Sequence, residues 1–228
     1  MPKKGNTMQS RQTLIALPVL LLAGAMLTGC NSDAPSTSEA QQVAEGIFAS
    51  CDNLKVKDFE RVNGIPQNDG SYVVQVKYNV RISPTPENKQ YIAETYPKLY
   101  ADLKEKVEQG KAVRQKYETS RDQFMAANPD KSITDFEKAY PDVANAYYAN
   151  ATWESDSAEQ LLTEGMPKSG KVALAQNLWK TCPKLSSPLL SKLFQSPGPV
   201  EQYASDVDVP FSDRYIMIKT DNGWMAQQ

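Results

Sequence analysis

Histidine is absent from the 228-residue chain. Its absence removes imidazole acid–base chemistry, the Ser–His and Cys–His nucleophile pairs, and most zinc and iron sites. No excess of one charge is present either: 25 basic side chains stand against 27 acidic ones. Lys3, Lys4 and Arg11 lie in the first 29 residues with no acid, so the other 199 carry 22 basic and 27 acidic groups. A mildly acidic body is a poor match for nucleic acid, because phosphate neutralisation needs a basic field. Serine-nucleophile signatures are missing, with neither Gly-x-Ser-x-Gly nor Ser-x-x-Lys. Cysteine is scarce, at three residues. What is there is a globular composition, 40% hydrophobic, in a length that suits one domain.

The N-terminus carries the most specific pattern. A basic start, Lys3, Lys4 and Arg11, precedes an apolar run from Leu14 to Leu27 broken by Pro18 and Gly24. The run is shorter than the ~20 residues of a membrane span. It ends in Leu27-Thr28-Gly29-Cys30, which resembles the lipobox of bacterial lipoproteins. The resemblance implies that residues 1–29 are a cleaved lipoprotein signal peptide. It also implies that Cys30 carries diacylglycerol and an amine-linked acyl chain such as palmitate. Several chains anchor firmly, since each buried CH₂ contributes ~0.8 kcal/mol. Residues 30–38 are small and polar, a flexible tether. In the enterobacterial sorting pattern Asp after the Cys retains a lipoprotein in the inner membrane. Asn31 stands there instead, so the resemblance implies the periplasmic face of the outer membrane. The remaining pair, Cys51 and Cys182, reads as one disulfide in an exported chain. Two buried free thiols are the alternative.

Residues 39–228 read as one α+β domain, an antiparallel sheet covered on one face by helices. Residues 39–51 have helical spacing, with Ser36 or Ser38 as cap. Residues 55–62 form an imperfect strand, at an edge or bulged. The turn-rich stretch 63–70 leads to residues 71–82, where Val74, Val76, Tyr78, Val80 and Ile82 alternate with polar residues. A helical insertion at about 87–165 follows, turning near Asn128-Pro129-Asp130. Then come a loop at 165–170 and a helix at 172–182 with Leu174, Leu178 and Trp179 inward. One or two helical turns fall at 187–194. Strands return at 205–209 and 214–220, and Asn222-Gly223 predicts a type I′ hairpin. A first helix, then strands, then a last pair closing on Lys219–Trp224 resembles small envelope lipoproteins with an NTF2-like or cystatin-like half-barrel. That resemblance implies a concave sheet, often with a pocket, and assigns no site residue.

Candidate chemistry is thin. Residues 165–172 miss a phosphate-binding loop because Val172 replaces the hydroxyl residue, so no nucleotide is expected. Asp206, Asp208 and Asp213 lack the spacing of a calcium loop. No catalytic residue, metal or cofactor is indicated. Tyr147, Tyr148 and Trp153 in the insertion are the candidate binding surface, because aromatics with a polar edge suit interfaces. The expected function is a lipid-anchored envelope protein, non-enzymatic, with a protein partner and a membrane as its contacts. The alternatives are a small-molecule or glycan binder with a pocket on the concave sheet, and a carboxylate-based hydrolase.

Overall fold

The computed structural model describes residues 33–227. Cys30 and the rest of the lipobox lie outside them. Helix α1 (Thr37–Phe48) opens with a capping box. The Ser36 hydroxyl accepts the Glu39 N–H at 3.2 Å, and the Glu39 carboxylate accepts the Ser36 N–H at 2.7 Å. Thr37 and Ser38, read as tether, are therefore already helical. Ala40, Ala44 and Phe48, four apart, are buried against the sheet.

Strands β1 (Leu54–Pro66), β2 (Tyr72–Ile82), β3 (Val207–Thr220) and β4 (Gly223–Ala226) form an antiparallel sheet in that order. β1 is an edge with two irregularities, Lys57/Glu60 and Arg61/Asn63. Asp58, at the first, has φ of 50°, a conformation that Asp tolerates better than most residues. Val74, Val76, Tyr78, Val80 and Ile82 of β2 are all buried on the covered face. The opposite face carries polar pairs such as Arg81–Asp208, whose two hydrogen bonds are both 2.7 Å. The β3–β4 hairpin forms, but not through the predicted I′ turn. Only Gly223 has positive φ, 101°, whereas a I′ turn needs it at both central residues.

Proline shapes the helical part. α2 (Pro86–Gln90), a π-helical turn (Tyr91–Thr95) and α3 (Tyr96–Ala127) run on without a break. Pro97 lacks an N–H, and its ring crowds the carbonyl four residues back. The ladder widens instead: the Tyr96 N–H bonds the Tyr91 carbonyl, five residues back. The same device recurs in α6 (Asp156–Gln160), a π turn (Leu161–Gly165) and α7 (Met166–Thr181), ahead of Pro167. Both turns read Gln-x-x-x-Glu-x-x-Pro, and Gln90–Glu94 and Gln160–Glu164 bridge them at 3.4 and 3.2 Å. This corrects the loop expected at 165–170, which is helical throughout. Gly170 lies inside the helix where a Cβ would stand 2.8 Å from both Tyr96 and Val200.

The far half of α3 receives α4 (Ile133–Ala139) and α5 (Pro141–Ala149) around a small core of Tyr117, Phe136 and Ala144. This is the expected helical hairpin. α8 (Ser187–Leu193) and a 3₁₀ turn (Val200–Ala204) join α1 and α7 over the sheet.

β4 covers only the end of β3. The Gln227 N–H bonds the Ile216 carbonyl at 2.8 Å, so Ile216 and, by the strand's period of two, Arg214, Ser212, Pro210 and Asp208 turn their backbone outward. Pro210 has no donor on that side and costs the β2 ladder nothing. It blunts the edge. Pro210→Val is expected to produce concentration-dependent self-association in sedimentation velocity. An unchanged monomer-to-oligomer distribution would contradict this role.

Candidate functional site

Cys51 closes α1 into β1, its carbonyl accepting the Leu54 N–H at 3.1 Å, and Cys182 ends α7. Their Cα atoms are 5.0 Å apart and the sulfurs lie at disulfide distance. Both are buried, at 3% and 0% exposure, so the pair joins two core elements and offers no reactive surface thiol.

The aromatic residues of the insertion are mostly turned to internal use. Tyr147 stacks on Tyr117 with ring centroids 4.1 Å apart. Tyr148 is 58% exposed, but its hydroxyl donates to the Glu137 carboxylate at 2.5 Å. Tyr117 donates to the same oxygen at 2.9 Å. Trp153 stands apart: its backbone carbonyl closes on Gly110 of α3, and Lys106 lies 5.7 Å over its ring. The structure thus brings Tyr147 and Tyr148 together around α4 and places Trp153 at another contact of α3.

The bonds from Tyr148 and then Tyr117 hold Glu137 below the ordinary carboxylate range. A depressed carboxylate stabilises the fold above its unfolded pKa of about 4.3, and that support is lost as pH falls through the folded value. Acid titration followed by tyrosine side-chain NMR is expected to show Tyr148 and Tyr117 shifting together below about pH 4.3. Independent titrations would break the assignment.

Side chains fill the centre of the covered sheet face. Tyr78, Phe211, Tyr215 and Met217 are all buried there. Tyr78 donates to Asp213 at 2.6 Å, Tyr215 donates to Tyr78 at 3.2 Å, and Lys192 of α8 caps the Phe211 ring at 3.9 Å. Burial, and then the bond to Asp213, drive Tyr78 far above the ordinary phenol range. Burial also pushes Tyr215 up to about 12. Both are neutral donors at neutral pH, and the cluster is a satisfied polar core. Asp208 and Asp213 are held by Arg81 and Tyr78 on opposite faces of β3.

The hollow with the character of a binding site lies elsewhere. α7 turns Gly170, Leu174 and Leu178 to the core, and its other side carries Val172, Ala175, Gln176 and Trp179. Across from these, α8 presents Ser187, Leu190 and Ser191, with Phe194 at its C-terminal cap. Between them runs an open, mainly apolar trough of about 610 Å³, within the size range of ligand sites. Val172 and Trp179 are 51% and 52% exposed along it. Lys168 and Lys171 stand at one end, and the Lys171 ammonium donates to the Ser196 carbonyl. No family model, curated protein or solved structure matches this chain.

The apolar spacing predicts Trp179 inward with Leu174 and Leu178, but it is half-exposed while they are buried. In a helix the adjacent position is rotated by about 100°, so a residue next to Leu178 leaves the stripe that Leu174 and Leu178 define. That rotation was the available signal. Among the described residues no cluster of three or more metal-ligating groups forms, and no helix is long and apolar enough to cross a membrane.

Proposed function

We propose that the protein is a lipid-anchored accessory protein of the cell envelope that binds a protein partner and performs no catalysis itself. The anchor rests on the basic start, the apolar run and Leu27-Thr28-Gly29-Cys30. The observation that supports binding is the trough between α7 and α8. Half-exposed Val172 and Trp179, two turns apart on α7, both line it, and buried aromatic anchors dominate protein interfaces. The proposed contact is centred on Trp179; in the insertion Tyr147 stacks on Tyr117 and the exposed Tyr148 gives its hydroxyl to Glu137. A small-molecule or glycan pocket on the concave sheet is disfavoured, since that face is packed with Tyr78, Phe211 and Met217.

A photocrosslinking amino acid placed at Gln176 in intact cells tests this. One discrete adduct is expected. Trp179→Ala should reduce its yield about tenfold, the loss typical of a 1.4 kcal/mol contact, and Cys30→Ser should lower it by removing the tether. Absence of any adduct would sink the docking reading.

A further inference from the structure

Both walls of the trough have one period. Val172, Ala175, Gln176 and Trp179 fall at i, i+3, i+4 and i+7 on α7. Ser187, Leu190 and Ser191 repeat the spacing on α8, and Phe194, just past its end and buried in the main core, closes that wall. Two such stripes facing across an open channel provide the hollows into which the side chains of a third helix interdigitate. From Pro167 to Trp179 the α7 wall spans thirteen residues, about 18 Å at 1.5 Å rise per residue, enough for about three turns of partner helix. A compact ligand would leave most of that length unfilled.

The ends differ in charge. Lys168 and Lys171 line the Pro167 end, and the one acid beside them, Glu164, accepts from Gln160 at 3.2 Å. The Trp179 end has no charged residue in its lining. An occupant complementary to both ends is apolar along one face and acidic at one terminus. We propose that the trough between α7 and α8 docks an amphipathic helix of a partner protein, with Asp or Glu at one end of its apolar stripe set against Lys168 and Lys171. This rests on the docking reading above and names the chemistry of the partner.

The test uses the purified full chain and three fluorescent 14-residue helical peptides, read by anisotropy. One carries leucines at i, i+3, i+4 and i+7 with two Glu at one end. The second has Lys for Glu, and the third scrambles the leucines. The acidic peptide is expected to bind at least tenfold more tightly than either of the others. Trp179→Ala should weaken it at least tenfold. Lys168→Glu should reverse the preference between the acidic and basic peptides. Both side chains are exposed, and an unchanged circular dichroism spectrum confirms the fold of each variant. Loss on Trp179→Ala without any charge preference overturns the acidic end and leaves docking intact. An adduct at Gln176 in cells with no peptide bound in vitro overturns the helix alone. Trp179-dependent binding of oleate with no peptide bound replaces it with an acyl ligand. Neither adduct nor peptide binding removes both readings.

Discussion

Cys51→Ser or Cys182→Ser is expected to lower stability by about 4 kcal/mol, and reduction of the wild type should match either variant. The pair is 131 residues apart in sequence, so linking it removes a large share of the unfolded chain's freedom. It also fastens the end of α1 to the end of α7, elements that otherwise meet only through the shared core. For a domain of this size the midpoint of thermal unfolding should fall by roughly 8–16 °C. Scanning calorimetry with and without reductant measures it, and non-reduced peptide mapping reports the link directly. Equal midpoints together with two alkylatable thiols in the native protein would refute the bond.

Phe136→Ala is expected to be nearly as severe but confined to one region. Phe136 is fully buried in the small core of the helical arm, where Tyr117, Phe124 and Tyr140 surround its ring at 5.4–5.8 Å between centroids. Truncating a buried Phe costs about 3–5 kcal/mol. The main core has its own residues, so that cost should fall on α4 and α5. Hydrogen exchange should show α4 and α5 losing protection while β2 keeps it. Uniform loss across both regions would mean that the arm and the sheet unfold as one unit.

The sheet was legible wherever one face is wet. The alternation from Val74 to Ile82 identifies β2 and its buried side directly, and a single α1 capping motif at Ser36 fixes the first helix. The helical hairpin was legible from its apolar spacing and the turn at Asn128-Pro129-Asp130. Pro167 and Gly170 are turn-formers by type and predict a break that the helix does not make. A π turn absorbs the proline, and Tyr96 with Val200 needs the glycine for close approach, a long-range fact invisible in local sequence. The trough was illegible for a related reason. Its two walls are separated by the bend after Cys182, and only the folded chain sets α8 beside α7. Composition marks the aromatic insertion but cannot say that the Tyr148 and Tyr117 hydroxyls share one Glu137 oxygen.

The two π turns act as phase shifters. Each takes up one extra residue, so the apolar positions before and after it are out of step by about 100° in plain α-helical numbering. Deleting a single residue from Leu161–Gly165 would return that stretch to plain α-helical winding and leave α7 facing as it does. Leu174 and Leu178 would keep the core, and Trp179 would still face α8. The direction in which the trough faces thus depends on that extra residue being absorbed ahead of Pro167.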